Sequence, residues 1–354
     1  MSTSRNAKKS KNSKVYAKLA NRVVSDSQRL RKGESVTVET WNNGLDFARE
    51  VVKEARRLGA FPLLILEDEE AYLEGVKNSP KDSLGKMGKH EYSLLTSTDA
   101  YVFIPGPILA VYSPLIPRED ANAATAYNSS WYESAEKAKV RGVRMSFGYV
   151  GKEYAKLLGK TLDQVVDNQI KASLVDLQKL RARGQPVMDA LQEGAAAEIE
   201  TGSNSLSFTL KGELGIEDGV VDDADLTSGN NISAIVPGMI WKNVDPATVS
   251  GKVRITSTVS RLGVVEDALL EFENGKLVKW TSKSPKTQKI LDTLIRAVPE
   301  DGRVFSILSV GVNPEMKFGF AQDRSADGSI GLAGFGFTAI ARAGTLKVNG
   351  RAVV

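Results

Sequence analysis

The fold of the N-terminal half is decided by one stretch, Ser35–Glu67, which reads SVTVETWNNGLDFAREVVKEARRLGAFPLLILE. Its first seven residues carry β-branched side chains at alternate positions, which indicates a strand. Apolar residues then recur with helical spacing from Leu45 to Gly59, and the apolar run that begins at Phe61 indicates a second, buried strand. Strand, helix and strand within about 35 residues are typical of a parallel βαβ unit. The stretch therefore predicts an α/β domain with a parallel sheet.

Elements on both sides extend this domain. An amphipathic helix is predicted before the βαβ unit, and Ala100–Pro105 indicates a third strand after it. Thr161 and Gln164 form a capping-box pattern, which begins one long helix predicted over residues 161–183. A glycine and a proline follow that helix and predict its end. The α/β domain is therefore predicted over residues 15–199.

The sequence pattern changes near residue 200. Helical spacing gives way to short alternating apolar runs that are separated by turn residues. Asn274-Gly275 and Asn349-Gly350 are typical of two-residue β-hairpin turns. Residues 200–354 are therefore predicted to form a mainly antiparallel, β-rich (α+β) domain.

Composition limits the chemistry that the chain can perform. The 354 residues suffice for two domains, 42% of them are apolar, and they include no cysteine and one histidine, His90. These counts exclude disulfide frameworks, thiolate nucleophiles, zinc fingers and iron–sulfur clusters, and a Ser-His-Asp triad would have to use His90. Apolar runs stay well below the roughly 20 residues that span a bilayer, and the N-terminus lacks a signal pattern. We therefore expect a cytoplasmic protein with no membrane span.

Positive charge is concentrated at the N-terminus. The net charge is +4, and residues 1–14 hold five cations and no acid: Arg5, Lys8, Lys9, Lys11 and Lys14. Because this segment has few large apolar residues, it is predicted to be a disordered basic arm. Two interpretations stay open. The arm is either a solvated tail, or a binding segment for nucleic acid, the ribosome or an anionic surface.

Several short motifs resemble those of the thermophilic metallo-aminopeptidases of the aminopeptidase T and aminopeptidase S type. They are Lys32–Val36, Glu50–Pro62, Thr98–Ala100, Leu270–Val278 and Val310–Pro314, the last of which resembles that family's Gly-x-Asn-Pro segment. With gaps, the resemblance runs from about Tyr16 to Arg351. It implies a two-domain, homodimeric exopeptidase whose second domain binds two divalent metal ions through carboxylates and histidines.

The metal ligands that the resemblance implies are replaced in this chain. Ile232 and Ile307 stand at two implied glutamates, Gly331 stands at an implied histidine, and a final His-x-Asp segment falls within Thr338–Arg342. Isoleucine and glycine offer no group that binds a metal or generates hydroxide. The resemblance therefore predicts that Ile232, Ile307 and Gly331 lie close together in one cleft that has lost its metals.

Two classes of function follow, and the sequence leaves open whether the protein is an enzyme. The first is a binding or regulatory protein on an aminopeptidase scaffold, with no cofactor. The second is an aminopeptidase, or another hydrolase or lyase, with a relocated carboxylate site for zinc, cobalt or manganese. The polar candidates near the implied cleft are Asn231, Asn313, Asp323, Arg324 and Asp327, and a separate acidic loop holds Asp222, Asp223 and Asp225.

Overall fold

The computed structural model describes residues 14–80, 83, 85–106, 118–145, 152–260, 262–317, 324–342 and 344–354. Residue contacts divide the chain into two compact units. The N-terminal unit comprises the residues before Lys152 together with Gly219–Ile235, and the C-terminal unit comprises Lys152–Asp218 and Val236–Val354. In the basic arm, Lys14 is described, whereas Arg5, Lys8, Lys9 and Lys11 lie outside the described residues.

The N-terminal unit is built on a five-stranded parallel sheet with the strand order β2-β1-β3-β4-β7. The strands are β1 (Ser35–Trp41), β2 (Phe61–Glu67), β3 (Ala100–Ile104), β4 (Arg141–Met145) and β7 (Ile232–Ile235). The three strands predicted from the sequence pair in parallel, so the predicted α/β fold is confirmed.

One helix precedes β1 and the other helices of this unit lie in the connections between its strands, since a crossover between parallel strands usually contains a helix. They are α1 (residues 14–21, followed by a π-helical turn at Arg22–Ser27), α2 (Leu45–Leu58), α3 (Glu69–Asn78), α4 (Lys89–Thr96), α5 (Arg118–Lys137) and α9 (Asp223–Ser228). Helix α2 buries Phe47, Val51 and Ala55 and ends where Gly59 adopts a left-handed conformation, with φ of 84°. Among the helices of the described ranges, none is long and apolar enough to span a membrane.

The units do not follow the boundary predicted at residue 200. Residues 152–218 belong to the C-terminal unit, whereas Gly219–Ile235 return to the first sheet and supply β7. Sequence pattern missed this return because Ile232–Ile235 contains only four residues, too few to distinguish a parallel from an antiparallel strand.

The single helix predicted over residues 161–183 is wrong, although its capping box is confirmed. Thr161 Oγ1 accepts from the Gln164 amide, and the Gln164 side chain accepts from the Thr161 amide. The helix ends at Ser173, and Asp176 caps a second helix by accepting from two backbone amides. The C-terminal unit thus has helices α6 (Lys152–Leu157), α7 (Leu162–Ser173), α8 (Leu177–Ala190) and α10 (Pro285–Arg296).

The predicted end of that helix is also wrong. Gly184 and Pro186 lie inside α8. A Cβ at Gly184 would lie 3.1 Å from Ile216 Cδ1 and 3.2 Å from Ile240 Cδ1, so the glycine allows the helix to pack closely on the sheet. A close helix–sheet contact, which sequence pattern does not reveal, accounts for this glycine.

The C-terminal unit contains a ten-stranded antiparallel sheet, as predicted for the β-rich half. Its main path is β13-β12-β11-β8-β6-β5-β14-β15, and the β9–β10 hairpin pairs with β8. The strands are β5 (Ala196–Thr201), β6 (Asn204–Glu217), β8 (Met239–Ser260), β9 (Gly263–Glu273), β10 (Lys276–Ser282), β11 (Ile307–Gly311), β12 (Ile330–Ala333), β13 (Ala339–Ala341), β14 (Thr345–Val348) and β15 (Arg351–Ala352). Both predicted Asn-Gly turns join antiparallel strands and have positive φ at both residues.

Candidate functional site

Two of the predicted positions, Ile307 and Gly331, lie on neighbouring antiparallel strands of the C-terminal sheet. In the β11–β12 register, Ile307 pairs with Ala333, and Ser309 pairs with Gly331. Residues directly opposite each other in a sheet point to the same face, and Ser309 also pairs with Trp241 on β8. These five residues therefore share one face, which we call the β11–β12 face.

The other face of the same strands forms the core of the C-terminal unit. Leu308, Val310 and Leu332 are fully buried there. On the β11–β12 face, in contrast, the side chain of Ile307 stays 37% exposed. Since successive residues of a strand point to opposite faces, the position of Ile307 and Gly331 away from the core follows from the register of the sheet.

Neighbouring side chains fill the space at Gly331. A Cβ at this position would lie 2.2 Å from Ser309 Oγ, and 3.4 Å from both Arg324 Cγ and Ile340 Cδ1. Real Cβ atoms essentially never approach another heavy atom within 3.0 Å. A histidine would need this Cβ and an imidazole ring beyond it. Position 331 is therefore closed to a metal-ligating side chain unless its neighbours move.

The residues of the β11–β12 face do not fit a two-metal centre. Ile307 offers only hydrocarbon, and the side-chain atom of Arg324 nearest to Gly331 is the aliphatic Cγ, so neither residue supplies a metal ligand there. Two-metal hydrolases hold their ions with several carboxylate or imidazole ligands. Within the described ranges, no group of three or more His, Cys, Asp or Glu side chains is placed to hold a metal ion.

The third predicted position, Ile232, belongs to the N-terminal unit. It lies on β7, pairs with Gly142 on β4, and lines a pocket on that sheet together with Glu39 and Tyr101. A Cβ at Gly142 would lie 2.8 Å from Ile232 Cγ1, so the two strands are closely packed there. The predicted proximity of Ile232 to Ile307 and Gly331 stays a prediction.

The two asparagine candidates hold the backbone in place. Asn231 Nδ2 donates to the Val140 carbonyl at 2.8 Å. Asn313 is fully buried, and its Nδ2 donates to the carbonyls of Ala172 and Pro237 at 3.0 and 2.7 Å. These hydrogen bonds satisfy buried carbonyl groups, which is a structural role for both residues.

The acidic candidates have partners within the chain. Arg183 Nε donates to Asp327 Oδ1 at 3.0 Å and Arg183 Nη2 donates to Oδ2, so both carboxylate oxygens accept from one guanidinium. Asp323 lies outside the described residues. Asp222 is the N-cap of α9 and forms a capping box with Asp225, and Asp223 and Asp225 lie in the first turn of this helix, so the predicted acidic loop is the start of a helix. His90 is an exposed residue in the first turn of α4.

Sequence reasoning missed the part that Ser309 plays. This serine is 2% exposed and directly opposes Gly331, so its hydroxyl helps to close that position. A period-two pattern from Ile307 through Ser309 to Gly311 could have assigned Ser309 to the β11–β12 face. Its contact with Gly331 depends on the register between β11 and β12, which the sequence does not reveal.

Comparisons with known proteins agree with this architecture. The wild-type AmpT structure from Thermus thermophilus superposes with a TM-score of 0.67 at 17% identity, over 96% of this chain and 99% of that one. A 2,5-dihydroxypyridine dioxygenase structure from Pseudomonas putida KT2440 gives a TM-score of 0.63 at 12% identity, over 96% of this chain and 95% of that one. No curated protein matches the chain significantly. At these identities the two structures show a shared fold and nothing further.

A sequence model of one family covers most of the chain. The model described as thermophilic metalloprotease (M29) matches residues 10–298, which span the whole parallel sheet and the first part of the antiparallel sheet. This match agrees with the motif resemblance and with the two-unit fold. The chain therefore belongs to the thermophilic metalloprotease (M29) family.

Proposed function

We propose that this chain is a divergent aminopeptidase-like protein that has lost the two-metal site and acts as a binding or regulatory protein. The observation that carries the proposal is the closure of position 331, where Ser309 Oγ occupies the space that a side chain would need. The exposed isoleucine at position 307 supports it, because that side chain cannot replace a glutamate ligand.

The composition of the whole chain adds support. Its one histidine, His90, lies on α4 of the N-terminal unit, whereas Ile307 and Gly331 lie in the C-terminal unit. Membership of the family does not by itself imply hydrolysis, since a similar fold also occurs in a structure described as a dioxygenase. The chemistry has to be inferred from the side chains on the β11–β12 face.

The test is metal binding and peptide cleavage by the purified full chain. The protein is incubated with zinc, cobalt or manganese, dialysed and analysed by mass spectrometry for bound metal. Release of leucine from leucyl peptides is followed beside an active leucine aminopeptidase. We expect no stoichiometric metal and no leucine release. Tight metal binding together with metal-dependent cleavage would overturn the proposal and support a relocated carboxylate site in an active aminopeptidase or other hydrolase.

We also propose that the protein is a homodimer, because β2 exposes apolar side chains at the edge of the parallel sheet. Phe61, Leu63, Leu64 and Leu66 are 70, 49, 38 and 50% exposed. Consecutive residues point to opposite faces, so both faces of this strand expose apolar surface. An uncovered apolar edge strand is a template for pairing with another chain.

A second copy of β2, running antiparallel, suits this edge. Arg56 precedes the strand and Glu70 follows it, and both are exposed. Antiparallel pairing of two copies would bring the basic end of each strand close to the acidic end of the other. Such pairing is also self-complementary, as a twofold dimer requires.

Sedimentation tests the dimer and its surface. The wild-type protein should sediment as a dimer at micromolar concentration, and Phe61→Lys should sediment as a monomer. Val278→Lys is the matched control, since Val278 is also an exposed strand residue, 47% accessible, but lies in the C-terminal unit. A wild-type mass of 38.2 kDa would reject the dimer, and dimeric Phe61→Lys would reject this surface.

Two further proposals concern the basic arm and the location of the protein. We propose that the arm binds an anionic partner, such as nucleic acid or the ribosome, through Arg5, Lys8, Lys9, Lys11 and Lys14. Deletion of residues 1–14 should remove binding that weakens steeply with salt, and equal binding by the full and shortened chains would reject this role. The cytoplasmic location stays a prediction that cell fractionation tests.

A further inference from the structure

The N-terminal unit holds a pocket in which opposite charges flank an aromatic ring. Glu39 on β1 pairs with Phe103 on β3, and Phe103 pairs with Arg144 on β4. Paired residues share a face of the sheet, and adjacent strands lie about 4.8 Å apart, which places the Cα atoms of Glu39 and Arg144 about 10 Å apart. All three residues line one pocket that opens to solvent.

Further aromatic residues form the walls of this pocket. Tyr101 comes from β3, and Trp131 and Tyr132 come from α5. The ring centroids of Tyr101 and Trp131 are 5.1 Å apart, those of Trp131 and Tyr132 are 5.4 Å apart, and both pairs are edge-to-face. A concave site with aromatic walls and a few polar groups is the usual form of a small-molecule site.

The carboxyl group of Glu39 is half-buried at this pocket. Among the described residues its one hydrogen-bond partner is the Tyr101 hydroxyl, which donates to Oε2. Burial, and to a smaller extent the negative charges of Glu67 and Glu91, raise the pKa of Glu39 to about 7. Burial, and then the charge of Glu39 and the hydrogen bond to it, raise the pKa of Tyr101, so its hydroxyl keeps its proton and donates. A cation bound beside Glu39 would relieve this carboxylate repulsion.

We propose that this pocket binds a small zwitterion of the amino-acid class. Its ammonium group would donate to the Glu39 carboxylate beside the aromatic rings, which also attract cations. Its carboxylate would accept from the Arg144 guanidinium, whose fork suits that group. An apolar side chain would lie against Phe103, Trp131 and Tyr132. The residues that carry the proposal all belong to the N-terminal unit, and one implied ligand position, Ile232, lines the same pocket.

The two charges favour a zwitterion over a ligand with one charge. A simple amine would be attracted by Glu39 and repelled by Arg144. A simple carboxylate would be attracted by Arg144 and repelled by Glu39, and the negative charges of Glu67 and Glu91 would add to that repulsion. A neutral aromatic ligand would make no charge-assisted hydrogen bond with either Glu39 or Arg144.

Calorimetry with three matched probes tests this site at pH 8, where Glu39 is ionised. The probes are L-phenylalanine, phenethylammonium, which lacks the carboxylate, and 3-phenylpropanoate, which lacks the ammonium. We expect L-phenylalanine to bind at least about tenfold more tightly than either of the others, the value of one charge-assisted hydrogen bond. No heat from L-phenylalanine at about 10 mM, beyond the millimolar range of weak sites, would overturn the proposal.

Two substitutions test which residue binds the ammonium group of the ligand and which binds its carboxylate. Glu39→Gln should weaken L-phenylalanine and phenethylammonium about tenfold, whereas Arg144→Gln should weaken only L-phenylalanine. Glu70→Gln, an exposed change in the same unit, is the control and should leave both affinities unchanged. Unchanged affinity in Glu39→Gln would overturn the site. If L-phenylalanine and phenethylammonium bind with equal affinity, and Arg144→Gln changes neither affinity, the proposed preference for a zwitterion is wrong.

A second variant allows the site to be tested even if Glu39→Gln fails to fold. Because Glu39 lies on β1, circular dichroism and melting temperature are compared before Glu39→Gln is interpreted. Tyr132 is 42% exposed on α5, so Tyr132→Ala should fold normally and still weaken L-phenylalanine severalfold through loss of wall contact. Wild-type affinity in this variant would show that the probe binds elsewhere, which overturns the proposal.

Discussion

Substitution of Gly331 by alanine tests whether position 331 is closed. The added Cβ would lie 2.2 Å from Ser309 Oγ, whereas an ordinary contact needs at least 3.4 Å. Ser309 is 2% exposed, so its hydroxyl can move only within a packed interior. Overpacking of this kind destabilises proteins by about 1–3 kcal/mol, and we expect Gly331→Ala to lower the free energy of unfolding by that amount.

A double-mutant cycle identifies the contact that is responsible. Ser309→Ala removes Oγ, so Gly331→Ala should cost less in that background, with a coupling energy of about 0.5–3 kcal/mol. The contacts with Arg324 Cγ and Ile340 Cδ1, both at 3.4 Å, are ordinary and should remain. Any decrease in the destabilisation caused by Gly331→Ala must therefore come from removal of the Ser309 hydroxyl.

Urea denaturation of the four proteins supplies the measurement, because the shift in midpoint at constant slope reports the change in stability. Gly75→Ala is the control: the position lies in α3, and the nearest atom to its Cβ is Ser79 Oγ at 3.8 Å. That change should stabilise the helix by about 0.5–1 kcal/mol. Strict additivity of the Ser309 and Gly331 substitutions, or a neutral Gly331→Ala, would refute the reasoning.

Three further predictions concern single side chains. Thr161→Ala should cost about 1 kcal/mol in urea denaturation, because the cap on α7 is lost; an unchanged midpoint would contradict this. The pKa of Glu39 is about 7 in the native protein, above the ordinary value of 4.5 that is expected in the unfolded chain. Between pH 4.5 and 7 the native protein therefore binds more protons than the unfolded chain. The free energy of unfolding should fall by up to about 3 kcal/mol as pH rises through this range. Glu39→Gln should flatten this dependence, and persistence of the slope would assign it to another group. Asp327→Ala should change stability by less than about 1 kcal/mol, because its pair with Arg183 is exposed. Manganese should not raise the melting temperature of the wild type or of Asp327→Ala. A rise in the wild type that is absent in Asp327→Ala would show that Asp327 is a metal ligand.

The elements that sequence could predict are those whose signals are local. The βαβ unit was predictable because helical spacing ends at Gly59, whose left-handed conformation terminates α2 before β2 begins. The turn at Asn274-Gly275 was predictable because both residues tolerate positive φ. The capping box at Thr161 depends only on residues three positions apart.

The elements that sequence missed depend on distant parts of the chain. Strand β7 joins the parallel sheet only because Ile232–Ile235 pairs with β4, about ninety residues earlier in the chain. Gly184 signalled a helix end by its residue type, whereas contacts with Ile216 and Ile240 explain its place inside α8. Asp176 is a clear N-cap in the structure, but the apolar spacing on both sides concealed it.

The candidate site divides in the same way. The resemblance identified positions 307 and 331 as replaced ligand positions, and the sheet register places both on one face. The side chains that close position 331 come from three segments, Ser309 on β11, Arg324 before β12 and Ile340 on β13. Restoring a histidine at position 331 would therefore also require a smaller residue at position 309 and movement of the side chains at positions 324 and 340 to admit the imidazole ring. Because these changes act on one packed cluster, their effects should be coupled, and no single substitution is expected to restore a metal ligand there.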